Sequence, residues 1–252
     1  MPGVYERLLV PTLFEPYARD LAGRVRALAP RRILELAAGT GVLTRALDAG
    51  DVVATDFNPG MVDVGRASAP AATWQQADAM QLPFDDGAFD LVVCQFGVMF
   101  FPDKAAAFAE AARVMAPGAA FLFNTWDAIA THAYDNALLA GLARAYPENP
   151  PTFIAKVPHG YHDPEVVTAD LHAGGFASVT AERLVLDGPA ASAADVARGF
   201  CTGSPVKAEI DARKGDVERT ISIVTEEMAA VVGAGPGPVT GSMSAFVFEA
   251  RV

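Results

Sequence analysis

Cysteine is scarce in this chain of 252 residues: there are two, Cys94 and Cys201, far apart in sequence. They can build neither a disulfide framework nor a C-x-x-C metal spacing, so reduced thiols in a cytoplasmic protein are the expectation. Basic residues are few beside acidic ones, 19 against 30, which leaves a formal net charge of −11 and a sequence pI near 4.7. That balance excludes the basic stripe of a nucleic-acid binder and disfavours an anionic membrane surface. Long apolar runs are missing too. No stretch of about 18 apolar residues occurs, so no transmembrane span is expected. The opening stretch "MPGVYERLLVPTLFEPYARD" carries charges throughout and lacks the apolar centre of a secretory leader.

What is there is an ordinary globular composition, 52% apolar and 19% charged, and enough length for one large domain with a full core. Small neutral or cationic molecules remain easy partners for such a surface, whether the chain is a monomer or a homodimer.

The first half alternates strand-like and helix-like segments. "FEPYARDLAGRVRAL" puts Phe14, Tyr17, Leu21, Val25 and Leu28 at helical spacing. "RRILEL" reads as a strand, "VLTRALDA" as a short helix stopped by Gly50, and "DVVATD" as a second strand ending in Asp56. Asn58 and Pro59 open a helix to about Ala67. "ATWQQAD" and "FDLVVCQF" are the third and fourth strands. "PDKAAAFAEAARVMAP" is an amphipathic helix and "GAAFLFNTW" a fifth strand. Short links between alternating strands and helices imply a parallel sheet wound in both directions, with ligands at the carboxyl ends of its strands.

After Trp126 the rhythm changes. "AYPENPP" breaks an Ala- and Tyr-rich stretch. Asp163, Pro164 and Glu165 start a helix that Gly174 and Gly175 stop. "SVTAERLVLDG" is a strand, 190–232 is helical, and "GSMSAFVFEARV" is a closing strand.

"ILELAAGTGVLT", at 33–44, turns a strand into a helix through small residues. A dinucleotide motif needs G-x-G-x-x-G, but Thr44 stands where the third glycine belongs; a phosphate loop needs Gly-Lys-Ser/Thr, and no lysine is near. The turn still lets a ligand approach the backbone, and the N–H groups of the next helix favour a carboxylate. Asp56 ends the second strand, where a carboxylate can accept two ribose hydroxyls, and Asp78 follows the third beside small Ala79 and apolar Met80.

These segments together resemble the class I S-adenosylmethionine-dependent methyltransferases, in the group that includes ubiquinone and menaquinone methyltransferases. "ILELAAGTGVLT" is similar to the family's first motif, "ATDFNPGMV" to the next, "ADAMQLPF" to the adenine loop, and "FDLVVCQFGVMFFPD" to the fourth-strand motif. "VMAPGAAFLF" is similar to its passage into the fifth strand. The resemblance is close over 30–126, weaker over 1–29 and only architectural from 161 onward.

It implies an α/β fold: a doubly wound, Rossmann-like, seven-stranded sheet, mostly parallel with an antiparallel last strand, and a helical cap insertion. It implies one methyltransferase domain over 1–252. Within it, 1–29 is a helical lid, 30–126 the cofactor core, 127–160 and 190–232 a substrate cap, and 161–189 and 233–252 the rest of the sheet. By resemblance Ala37, Gly39 and Gly41, with Thr44, face the methionine end of S-adenosylmethionine. Asp56 holds the ribose, and Phe57 and Met61 pack near the adenosine. Asp78, Ala79 and Met80 meet the adenine, Cys94 and Gln95 lie near the methionyl amine, and Tyr5 belongs to the lid.

Displacement from a sulfonium needs alignment in a dry pocket, and a general base only for some acceptors. The candidate bases are His159, Tyr161 and His162 in one cluster, Tyr5 and Tyr17 in the N-terminal region, and His132 and Tyr134 in the 127–160 insertion, with His159 and Tyr5 put first. His162 suits a turn into a helix, Tyr17 suits the core, and His172 sits late in a helix. Phe96, Met99 and Phe100, with His159 and Tyr161, are candidates to wall a lipophilic or aromatic acceptor pocket. No H-x-x-x-H or H-E-x-x-H spacing occurs, and although His159 and His162 could chelate in principle no partner carboxylate pair is evident, so no metal is expected. Two other functions stay open: a protein that binds the cofactor without transferring methyl, and an NAD-dependent oxidoreductase.

Overall fold

The structure is a computed structural model that describes residues 2–48, 50–235 and 237–252. Seven strands form one sheet: β1 (Arg32–Glu35), β2 (Asp51–Asp56), β3 (Thr73–Gln76), β4 (Phe89–Gln95), β5 (Met115–Trp126), β6 (Ser178–Ala190) and β7 (Val239–Arg251). Their order is β3-β2-β1-β4-β5-β7-β6. The first five are parallel, with Ile33 opposite Val52 on one side and Leu91 on the other. β7 runs antiparallel to β5, Phe123 opposite Phe248. The expected architecture is therefore present, and "SAFVFEARV" does insert beside "SVTAERLVL".

The apolar runs of β1 and β4 form strands because both faces are covered. Ile33, Leu34, Val92, Val93 and Cys94 are fully buried. Short polar side chains start the crossover helices by accepting from their free N–H groups. Asn58 Oδ1 takes Gly60 N at 2.8 Å before Pro59–Ser68, and Asp103 Oδ1 takes Ala106 N at 2.9 Å before Lys104–Val114. Asp163 does the same for Pro164–Ala173. The strand order reverses between β1 and β4, so the turns leaving those two strands border the crevice where such sheets bind ligands.

The chain forms two compact units. The first, Tyr17–Trp126 with Tyr161–Leu184 and Ala245–Val252, holds the parallel strands. Its core gathers Leu21, Val25, Ile33, Leu91, Val93, Leu122 and Val247. The second consists of residues 2–16, Asp127–Gly160 and Val185–Ser244. There Ala133–Ala145 packs on Val217–Val232 so closely that a Cβ on Gly141 would stand 2.7 Å from Val224 Cα. Tyr134, wholly buried, donates to Gly188 O at 2.7 Å.

Local details differ from expectation for identifiable reasons. The segment 190–232 is three helices, Ala193–Gly203, Val206–Ala212 and Val217–Val232, broken at Ser204-Pro205 and at Gly215. The helix after β1 stops at Ala46, where Leu47 turns extended. Tyr5–Phe14 winds as a π-helix containing Pro11, which has no N–H to give a regular α-helical ladder.

Candidate functional site

The turn after β1 is left-handed at three positions, Ala37 (φ 51°), Gly39 (φ 58°) and Gly41 (φ 88°). At Gly39 a Cβ would meet nothing within 4 Å, so this backbone faces open space. At Gly41 it would stand 3.1 Å from the Trp74 ring, so packing as well as conformation asks for glycine. Gly39 N donates to Asp56 Oδ2 at 2.9 Å, which joins the turn to the end of β2. Asp56 Oδ1 accepts from Asn58 N at 2.8 Å. Ala77 N donates to Asp56 O, which brings the loop after β3 alongside. In that loop Asp78 Oδ1 accepts from Met80 N at 2.9 Å, and Ala79 and Met80 are half-buried.

The turn after β4 meets the turn after β1. A Cβ on Gly97 would lie 2.5 Å from Ala37 Cβ and 2.6 Å from Cys94 Sγ. Thus Ala37, Gly39, Gly41, Asp56, Asp78–Met80, Cys94 and Gln95 share one edge of the sheet. Met61 is half-buried, and Phe57 stands 69% exposed beside Asp56. Cys94 is wholly buried, and that burial pushes its thiol far up, so it is inert as a nucleophile.

Glu35, which ends β1, supplies a residue missing from the expected site. Its side chain is 1% exposed and accepts from Thr44 Oγ1 at 2.7 Å. Thr44 therefore serves the carboxylate behind the turn. Burial lifts Glu35 to about 8 against the partial relief of the Thr44 hydrogen bonds, and the nearby Asp56 charge adds to the rise. Asp56 is also raised by burial, less the help of Asn58 N and Gly39 N. The signal was present in sequence: an acidic residue on an otherwise apolar strand, nine positions before a threonine.

Of the acceptor-wall candidates, Phe96 and Met99 are buried and Phe100 is 50% exposed. Phe96 stacks on Trp126 with ring centroids 3.6 Å apart and meets Tyr17 edge-on at 5.2 Å. Tyr17 is core, as its helical stripe implied. Tyr161 is buried and donates to Asp170 Oδ2 at 2.7 Å, while Lys104 Nζ lies 4.9 Å over its ring and donates to Phe101 O at 2.6 Å. The Tyr161 hydroxyl is thus already engaged, and burial with the Asp170 charge holds it far above the usual phenol range.

Tyr5 and His159 belong to the second unit. Tyr5 packs on Phe14 at 5.3 Å. His159 is 3% exposed, and its Nδ1 is 2.7 Å from Asp127 O. It does not sit with exposed His162; its companions are His132 and Asp135, both buried. His132 Nδ1 contacts Asp135 Oδ2 directly, and His159 Nε2 lies 3.7 Å from Asp135 Oδ1. Burial alone would raise Asp135, but the charge and hydrogen bond of His132, with the nearby His159, hold it far below the usual carboxylate range. Burial alone would lower His159, yet Asp135 and Asp127 raise it. The spacing His132-x-x-Asp135 at a helix start was the available signal, and patterns restricted to histidine pairs pass over it.

Three comparisons bear on this edge of the sheet. The methyltransferase domain family matches residues 34–123. The chain is 34% identical over 171 residues to a demethylmenaquinone methyltransferase from Clavibacter sepedonicus, covering 61% of this chain and 70% of that one. It is 42% identical over 116 residues to a demethylmenaquinone methyltransferase from Thermus thermophilus, where the match spans 40% of this chain and about half, 53%, of the relative's length. Among solved structures, the YcgJ protein from Bacillus subtilis aligns with a TM-score of 0.59 at 19% identity, covering 92% of this chain and 98% of that one. At that identity the likeness shows the fold alone.

Proposed function

Because the chain belongs to the class I S-adenosylmethionine-dependent methyltransferases, we propose that it transfers a methyl group to a small lipophilic or aromatic acceptor, a quinol-type ring first among them. The observation that carries the cofactor half is the row of carboxylates at three successive strand ends, Glu35, Asp56 and Asp78, two of them raised by burial. Carboxylates in that state favour a cationic ligand, and S-adenosylmethionine carries a sulfonium and an ammonium. The open backbone at Gly39 and the exposed Phe57 suit the same ligand.

In this reading Asp56, already oriented by Gly39 N and Asn58 N, accepts the two ribose hydroxyls with its remaining lone pairs. Asp78, fixed by Met80 N, accepts the adenine amino group, and Phe57, Met61 and Met80 pack on the adenosine. Ala37, Gly39 and Gly41 admit the amino-acid end, with the backbone of Cys94 and Gln95 near its amine. When bound, the cofactor supplies a methyl already activated on sulfur. The chain's task is to align an acceptor and keep water out.

Phe100 offers apolar surface to that acceptor, with Phe96 and Met99 behind it. Tyr161 enters this reading as a shape-giving residue, because its hydroxyl is engaged with Asp170; His159, held by Asp127 O in the second unit, drops out of the acceptor wall. The relatives' printed names support a quinol acceptor. No helix among the described residues is long and apolar enough to cross a membrane.

The test is a screen of reduced quinones, phenols and small amines with methyl-labelled S-adenosylmethionine. Label in a reduced naphthoquinone supports the reading. Label only in amines would replace the acceptor class. Tight cofactor binding with no transfer to any acceptor would favour a protein that binds without catalysing.

A further inference from the structure

His132, Asp135 and His159 take no part in the reaction proposed above, yet they meet inside the second unit. Their side chains are 0%, 7% and 1% exposed. Each offers one ligand atom, and these atoms lie within 4.8 Å of one another. We propose that the three side chains form a binding site for a divalent transition-metal ion of the zinc class, with a structural role in this unit.

Two imidazoles and a carboxylate are the donor set that such ions take. His132 precedes Ala133–Ala145 as its N-cap and Asp135 lies in the first turn, so one helix start presents both. His159 comes from beyond the short helix Phe153–Lys156 and closes the set from a separate stretch of chain.

The tautomer of His159 is settled by its neighbour. Asp127 O can only accept, so Nδ1 carries the proton at 2.7 Å and Nε2 turns toward Asp135. A ring whose far nitrogen is anchored on a backbone carbonyl is the usual arrangement of a metal-binding histidine. The 3.7 Å from Nε2 to Asp135 Oδ1 is longer than a hydrogen bond. It is near the ~3.3 Å that separates two ligand atoms with bonds of about 2.0 Å at tetrahedral angles. The direct contact of His132 with Asp135 opens when an ion enters between them.

Charge fits as well. Asp127, whose carboxylate accepts from Ala128 N at 2.6 Å and Ser244 Oγ at 2.8 Å, adds a second negative group near His159. A dication with Asp135 and Asp127 is neutral overall.

The test uses the full chain, stripped with a chelator and then titrated with Zn²⁺ by calorimetry and with Co²⁺ by visible absorbance. The expected result is one ion per chain, a four-coordinate cobalt band, and a melting temperature raised by Zn²⁺. His159→Gln should weaken Zn²⁺ binding by at least about a hundredfold, since even outer partners of metal ligands are worth ten- to a hundredfold. His162→Gln, at an exposed position, should leave it unchanged. If His159→Gln does not fold, the cobalt band and melting shift of the unaltered chain still decide. No band and no melting shift at millimolar metal would overturn the proposal, as would binding that survives in a folded His159→Gln.

Discussion

Glu35 and Asp135 are both buried carboxylates, one at the end of β1 and one in the first turn of Ala133–Ala145, yet their surroundings hold them in opposite charge states. Glu35 has a threonine hydroxyl for a partner, so burial prevails and it keeps its proton up to about 8. Asp135 has burial against it too, but His132 and His159 outweigh that and keep it ionised. The difference lies in what the fold supplies nearby. The second unit brings its own imidazoles to its carboxylate. The sheet edge brings hydroxyls, backbone N–H groups and only the weak charge of Arg45, which does not offset burial at Glu35.

The largest expected effect comes from removing the ionised member of the second region. Asp135→Asn should cost roughly 3 kcal/mol of stability in urea unfolding, because it strands imidazoles arranged around a charge. A loss below about 1 kcal/mol would show that the two regions do not differ as described.

Next in size is the pH response of the first region. A buried acid raised from 4.5 to about 8 binds its proton more tightly when folded. Its contribution is therefore full below about 4.5 and is lost as pH rises toward 8. Between about pH 5.5 and about pH 8.5 that loss is on the order of 3 kcal/mol. Glu35→Gln, with no proton to lose, should be comparable to the unaltered chain at the acidic end and more stable at the alkaline end. Urea midpoints that move in parallel for both would contradict the buried-acid assignment.

The smallest effect on stability is expected at Phe57. Phe57→Ala, at a position 69% exposed, should change unfolding free energy by under ~0.5 kcal/mol. Affinity for S-adenosylhomocysteine should nevertheless fall several-fold through lost contact with the adenosine. A stability loss without an affinity loss would return Phe57 to ordinary packing.

The two regions also differed in how far they could be read from the chain. The sheet edge is assembled from short contiguous turns, each fixed by its own residues: Ala37 to Gly41, Asp56 to Asn58, Asp78 to Met80. Parallel strands then bring their carboxyl ends together without further information, so the order of motifs was enough. Glu35 was harder, because its partner Thr44 reaches it only after the helix has turned. Of the trio of His132, Asp135 and His159 only the His132-x-x-Asp135 spacing was legible, since the helix start and the later segment that carries His159 meet only through packing. The break at Ser204-Pro205 was visible as a proline, but the helical reading of 190–232 ran through it. The winding of Tyr5–Phe14 has no local pattern beyond Pro11.

The most direct measurement is a calorimetric titration of the full chain and of Asp56→Ala with S-adenosylhomocysteine. Asp56 joins the turn after β1 to the end of β2 and is proposed to hold both ribose hydroxyls. The account predicts saturable binding to the unaltered chain and a loss of at least about tenfold in Asp56→Ala, roughly 1.4 kcal/mol or more. Equal affinity in a folded Asp56→Ala, or no binding to the unaltered chain, would contradict it.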